Sequence, residues 1–338
     1  MEKTEKSGNA SASAFGREFQ VAAAIVLVLD NIIELSELRV EGAHEDIELT
    51  LENGMVVYAQ AKSAATPYKD ANINKKLHDA LKSLNRAVSG ELKDYKTLIY
   101  ITNLPTPLAI GKVSAFEHTE REIAFQDLDE ESMQVVKNIV ITKNYNKIDL
   151  NRLSFHTVPF CGDNERLRYG TILKKLGRFL EDINVRPTLD WRILDVWRNA
   201  FHHNSSEKDL SSTLSKNQIV WPIIVSACEM DVEHEFTDAF SDIEVDEVFE
   251  RYQKVININS MRYDLVRNVI YSYRDYGYGK KSDDIQDFIN EHWTEFKTMF
   301  PDSGCGELEI QTLVKYTLFA ILRRRNIVGK ISKGLKLK

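Results

Sequence analysis

Apolar and polar positions change period several times along the chain, and each change predicts an element. From Ala14 to Leu35 the apolar residues form a wide helical face centred on the unbroken run Val21–Leu29 (VAAAIVLVL). Three short stretches come next in which apolar positions alternate: 37–41 (ELRVE), 46–51 (DIELTL) and 55–62 (MVVYAQAK). Between Asp70 and Val88 the helical period returns, with Ile73, Leu77, Leu81, Leu84 and Val88 on one stripe. The β-branched run 97–103 (TLIYITN), stopped by Asn103 and Pro105, predicts a buried strand. Residues 14–103 therefore predict the order α-β-β-β-α-β.

Residues 1–13 are small and polar and predict a frayed start. The region 110–150 reads as charged and mostly helical, and 152–160 (RLSFHTVPF) as one more strand. Beyond Asn164 nearly every segment has a helical period: 164–182, 189–203, 208–228, 236–256, 261–275, 283–299 and 306–326. The polar stretch Asn204-Ser205-Ser206 marks a boundary, giving an α/β domain over 1–205 and an all-α domain over 206–338. The last residues (RRRNIVGKISKGLKLK) read as a basic tail.

Composition narrows the class. The 338 residues are 43% hydrophobic and 28% charged, as in a folded globular protein. A net charge of −7 argues against coating nucleic acid by bulk charge, while leaving room for a local basic groove. Cys161, Cys228 and Cys305 lie far apart with no CxxC pair, so neither a disulfide framework nor a zinc site is expected. Val21–Leu29 is too short to span a bilayer and lacks the basic and small-residue flanks of a signal peptide. The expectation is a cytoplasmic protein without a membrane segment.

The chemistry concentrates where two strands meet, in EDIELTLENGMVVYAQAK. Side chains alternate, so Tyr58, Gln60 and Lys62 share one face, and Asp46, Glu48 and Thr50 share one face of the preceding strand. A two-residue Asn53-Gly54 turn would pair residue 46 with 61 and point the polar groups apart. A three-residue turn, Glu52-Asn53-Gly54 with positive φ at the glycine, pairs 46 with 60 and makes Asp46, Gln60 and Lys62 converge. The three-residue turn, or an equivalent bulge, is expected. A carboxylate and an amide oxygen are hard ligands for Mg²⁺ or Mn²⁺, and a nearby ammonium offsets charge developing on a phosphate. Such a set describes metal-assisted phosphodiester hydrolysis. The plain alternative is that an Asp starting one strand and a Lys ending another are solvated edges.

This order of elements resembles the restriction-endonuclease-like PD-(D/E)xK superfamily, and more closely the nuclease domain of bacterial antiphage effectors of the CBASS and Lamassu systems. The residues that carry the resemblance are GREFQVAAA (Gly16, Phe19, Gln20, Ala23), VEGAHEDIEL (Glu41, Asp46, Ile47), AQAK (Gln60, Lys62) and IYITNLP, spread over roughly 14–160. It implies that Asp46 and Gln60 hold the metal, that Lys62 serves the water or phosphate, and that Gln20 supports them. In this superfamily the first helix often carries Glu at the position of Gln20. Here Glu18 lies two residues earlier, and Gln60 stands where an acid is usual. Glu41 and Glu48 are candidate supplementary ligands. The resemblance further implies double-stranded DNA as substrate, a homo-oligomeric active form, and control by a partner such as an SMC-like ATPase sensor complex.

On the helix after Lys62, Lys75, Lys82 and Arg86 lie opposite the apolar stripe, flanked by Lys69 and Lys76. They are candidates for holding DNA phosphates, and equally the wet face of an amphipathic helix. Two other readings stay open. Arg198, Asn199 and His203 in WRNAFHHN resemble the R-N-x3-H motif of HEPN ribonucleases, which cleave RNA without metal. A cation-rich helix C-terminus explains the same residues through the helix dipole. The chain also fits a non-catalytic adaptor with a decayed nuclease fold. GYGKKS at 277–282 lacks the first glycine of a phosphate loop and comes after no apolar strand, so it is not counted as one.

Overall fold

The computed structural model describes residues 5–70, 72–89, 94–104, 120–229, 236, 262–277, 285–300 and 306–337. Helix α1, Glu5–Asn31, starts well before Ala14 and buries every side chain from Val21 to Leu29. A helix that apolar must be covered. It packs on strands β1 (Leu35–Val40), β2 (Ile47–Leu51) and β3 (Val56–Lys62). Helix α2 (Ile73–Ala87) leads to strand β4 (Tyr95–Thr102), so the α-β-β-β-α-β order read from periodicity is present.

With β5 over Arg121–Ala124, β6 over Leu153–Thr157 and β7 over Leu214–Ser215, the seven-stranded sheet has the order β5-β6-β4-β3-β2-β1-β7. Strands β1, β2 and β3 form an antiparallel meander, and β3, β4 and β6 (Leu153–Thr157) run parallel. The α2 stripe, Leu77, Leu81 and Leu84, packs with Val56 and Tyr58 of β3, Leu98 and Tyr100 of β4 and Leu153 and Phe155 of β6. Among the described residues no helix is long and apolar enough to cross a membrane.

Three expectations change. The region 110–150 contributes strand β5 (Arg121–Ala124), antiparallel to β6, before helix α3 (Glu130–Thr142). Four residues are too few to show a period of two. The basic tail is instead a helix, Arg325–Gly334, with Val328 and Ile331 buried and Leu335 buried just beyond it. Its lysines obscure an apolar stripe at helical spacing. The helix expected over 236–256, apart from Phe236, and residues 278–282 of the glycine-lysine motif lie outside the described residues.

The third change concerns the boundary. Contacts divide the chain into one unit of 1–179 and 194–216 and another of 180–193 and 217–338, rather than at 205/206. Helices α4 (Glu165–Arg168), α5 (Gly170–Asp182) and α6 (Asp190–Ser206) come after β6, and Asn204–Ser206 is the end of α6, not a linker. The segment after α6 is tied to the sheet. The buried Arg39 guanidinium of β1 donates to the carbonyls of Asn204 (2.8 Å), Glu207 (2.9 Å) and Ser212 (2.8 Å). Asn204 Oδ1 accepts from the Val40 amide at 2.8 Å, and its Nδ2 donates to the Ser212 carbonyl at 2.9 Å. Strand β7 (Leu214–Ser215) then closes the β1 edge. The other unit holds most of helix α7 (Lys216–Glu229) and the helices 262–277, 285–297, 307–323 and 325–334.

Replacing Arg39 by Met removes three charge-assisted hydrogen bonds from largely buried carbonyls. We expect a loss of about 2–4 kcal/mol in urea denaturation and faster amide exchange over 204–215. Unchanged exchange there would refute the latch.

Candidate active site

The β2–β3 pairing sets the geometry. Glu48 faces Tyr58 and Ile47 faces Ala59, a register that continues to Asp46 opposite Gln60. Leu51 N donates to Met55 O and Gly54 N to Leu51 O, both at 2.9 Å, and Gly54 has φ +83°. The connection is therefore the three-residue turn, with glycine at the position that needs a left-handed backbone.

Four of the expected residues meet as a result. Asp46 Oδ2 accepts from the Ala61 amide at 2.9 Å and from Gln60 Nε2, and the Gln20 side chain of α1 also favours the ionised carboxylate. Burial raises the Asp46 pKa; the Lys62 charge, the Ala61 amide and Gln20 partly offset this, while Glu41 adds to the rise. Lys62 is half-buried and acts on Asp46 through its charge without a direct ion pair. Its backbone is held from β4: Thr102 Oγ1 donates to Lys62 O at 2.6 Å. Asn103 Oδ1 accepts from Ala64 N at 2.9 Å, and Nδ2 donates to Phe160 O at 2.7 Å. The site thus lies at the carboxyl end of parallel strands, where open α/β sheets bind ligands.

The donor set suits a hard divalent cation. Because Gln60 donates through Nε2, its Oε1 is left over, and Asp46 engages through Oδ2, leaving Oδ1. Both remaining atoms are hard oxygens.

Sequence reasoning passed over Glu45. Strand alternation assigns it to the face opposite Asp46, but it lies in a loop, not a strand. Glu41 N donates to Asp46 O (2.7 Å) and Gly42 N to Glu45 O (3.0 Å), with Glu41 at φ +55°. Glu48 Oε1 accepts from His44 N (2.7 Å) and Glu45 N (3.1 Å). Glu48 is therefore a brace for this loop through Oε1. A Cβ on Gly42 would collide with that same Oε1, so the brace needs glycine there. Glu45 is turned inward, 4% exposed, and neither carboxylate oxygen makes a hydrogen bond of good geometry. Burial raises its pKa to about 8, helped by Asp46; Ser83, Lys62 and Arg86 favour the ionised form. The adjacent acids Glu45-Asp46 before a strand were the only signal in the sequence.

The remaining candidates separate. Glu18 is taken by Arg168 at 3.0 Å, so it does not replace the missing acid. Lys75 and Lys82 are exposed on the outer face of α2; Arg86, also exposed, approaches Ser83 Oγ at 3.4 Å. Lys76 is instead a structural group, bonded to Asp70 and to Ser63 O at 2.7 Å. Arg198 stacks on Tyr169 at 4.6 Å and pairs with Glu165 and Asp195, whereas His203 is exposed and pairs with Glu207 at 2.9 Å. The structure does not bring Arg198 and His203 together.

A second acidic group lies elsewhere in the same unit. Asp30, Glu120 and His156 surround Lys175, which pairs with Asp30 at 2.6 Å and Glu120 at 2.8 Å, while His156 Nε2 lies 2.6 Å from Glu120. Burial would raise the Glu120 pKa, but hydrogen bonds and charge from His156 and Lys175 outweigh it and hold it at about 2. The ammonium already supplies the cation, so this is an ion-pair network and not a metal site.

No family model matches the chain, and no curated protein does. Among solved structures, the chain is similar to the Acinetobacter baumannii Cap4 SAVED/CARF-domain containing receptor with the cyclic trinucleotide 2'3'3'-cAAA: TM-score 0.39, 15% identity, 64% of this chain and 45% of that one. The Moraxella osloensis Cap4 SAVED/CARF-domain containing receptor gives TM-score 0.39 and 15% identity over 64% of this chain and 48% of that one. The chain spans less than half the length of these structures. At this level of likeness the functional reading rests on the geometry of the site itself.

The folded Glu45 carboxyl keeps its proton between the unfolded value of 4.5 and about 8. Stability without divalent cations should therefore fall as pH rises through that window. Glu45→Gln should flatten the slope of urea midpoint against pH in EDTA, and parallel slopes would sink the assignment. Gly42→Ala should displace the Glu48 carboxylate from the two loop amides and cost about 1–3 kcal/mol, read by thermal melting.

Proposed function

We propose that the α/β unit is a divalent-metal-dependent DNA endonuclease of the restriction-endonuclease-like kind. The observation that carries this reading is the Asp46–Gln60 side-chain hydrogen bond across the 46/60 pair, with Lys62 next on the same face. Core building does not need these groups together, and carboxyls with raised pKa values beside a lysine concentrate at functional sites.

A divalent cation held by the Asp46 and Gln60 oxygens would polarise a phosphoryl oxygen and make water more acidic. The chain's own residues do the rest. The Gln60 side chain and the Ala61 amide hold the Asp46 carboxylate in one orientation, with Gln20 favouring its ionised form. The Lys62 ammonium lies where it favours negative charge on an attacking water or on the phosphate in flight. Lys75, Lys82 and Arg86 form one exposed stripe on α2 and would hold flanking phosphates of double-stranded DNA. No base-reading motif is visible, so little sequence specificity is expected.

From the sequence resemblance we infer an effector role in bacterial antiphage defence, of Lamassu or CBASS type. The helical unit then serves oligomerisation or docking on a sensor such as an SMC-like ATPase complex, and keeps the nuclease silent until triggered.

The test is plasmid cleavage by the full chain with Mg²⁺ or Mn²⁺, with EDTA, and by Lys62→Ala and Asp46→Asn. We expect metal-dependent nicking that EDTA abolishes and that each substitution lowers by about 10²-fold or more. His203→Ala should leave cleavage unchanged. Equal nicking by wild type and Lys62→Ala would refute the reading and leave the non-catalytic adaptor.

A further inference from the structure

A carboxylate whose two oxygens are buried and unbonded demands a physical reason. Native proteins pair nearly all buried polar atoms, and an isolated buried charge costs several kcal/mol. Neither Glu45 oxygen makes a hydrogen bond of good geometry, and the Ser83 side chain favours its ionised form without one. If its role were structural, one of the nearby cations would contact it. Lys62 and Arg86 act on it only through space, and Arg86 is exposed with Ser83 Oγ at 3.4 Å. The loop is nonetheless built to turn Glu45 inward, since the Glu48 brace bonds the Glu45 amide itself at 3.1 Å.

The donor chemistry points the same way. The Asp46 charge bears on Glu45, and among the described residues Lys62 is the half-buried cation acting on both. Gln60, 3% exposed, contributes an amide oxygen but no charge. The two Glu45 oxygens, buried without a hydrogen bond of good geometry, are hard donors of the kind a divalent cation takes.

We propose that Glu45 is a ligand of the divalent cation at this site, supplying the carboxylate that Gln60 does not. The inference rests on the nuclease reading, because it concerns the same ion. It assigns the third protein oxygen, beside Asp46 Oδ1 and Gln60 Oε1, to a residue outside the strand motif. The loop 41–46 then becomes part of the metal site, positioned by Glu48 and Gly42.

The experiment titrates the full chain with Mn²⁺ in the absence of DNA and counts free ion by electron paramagnetic resonance. Wild type and His203→Ala should bind Mn²⁺ alike. Asp46→Asn and Glu45→Gln should each weaken binding tenfold or more, and Glu45→Asp should recover part of it. Glu45→Gln removes the buried ionisable group without changing shape, so its melting temperature in EDTA should match or exceed wild type. That control separates lost ligation from lost folding. Glu45→Gln binding Mn²⁺ within twofold of wild type, with Asp46→Asn impaired, overturns the inference and leaves the nuclease reading intact. A wild type that binds no Mn²⁺ also overturns it, and plasmid cleavage then decides the nuclease reading separately.

Discussion

Strand register between β2 and β3 is the constraint on which the rest depends. The side-chain period of a strand is two, so a slip of one residue would send Asp46 to the face opposite Gln60. The register is held at one end by Gly54, whose positive φ permits a three-residue turn. At the other end it is held by the Asp46 carboxylate, which bonds the Ala61 amide and the Gln60 amide group. The polar site is thus also a clamp on the hairpin that creates it. On the proposed reading, activity and local stability share the same atoms.

Charge satisfaction sorts the acidic residues of this unit into roles. Glu18 and Glu120 are paired with cations, and Glu48 is bonded to backbone amides. Asp46 is hydrogen-bonded but its pKa is raised by burial. Glu45 alone among these is buried with both oxygens unbonded. An unpaired buried acid costs stability, and the proposed ion would give it a role. The group of Asp30, Glu120 and Lys175 shows the opposite solution: there a lysine fills the position that an ion would take.

The edge of the sheet shows a second economy. The Arg39 guanidinium on β1 gathers three carbonyls from a stretch about 165 to 173 residues away in sequence. That stretch then adds β7 and covers the strand edge. An Arg in an alternating strand looks solvent-facing from sequence, and Asn204 in a polar run looks like linker. Each acquires its role only when the other is folded against it.

Long periodic segments were legible without coordinates. The apolar stripe of α2, the run Val21–Leu29 and the strands at 46–51 and 55–62 arise from local spacing, because a buried face must repeat with the period of its element. The choice of turn was legible too, since Gly54 and the face each polar residue needed left one consistent register. Local spacing did not disclose β5, β7, the helix at 325–334 or the 216/217 boundary. Two- and four-residue strands carry no period, and basic residues masked the last stripe. Nor did it disclose Glu45, whose direction depends on a loop set by the Glu48 carboxylate and a glycine without room for a Cβ. The sequence by itself determined which groups lie on which face of each element. Tertiary structure alone decided which charges are neutralised by neighbours, because that depends on side chains brought together from distant positions and withdrawn from water.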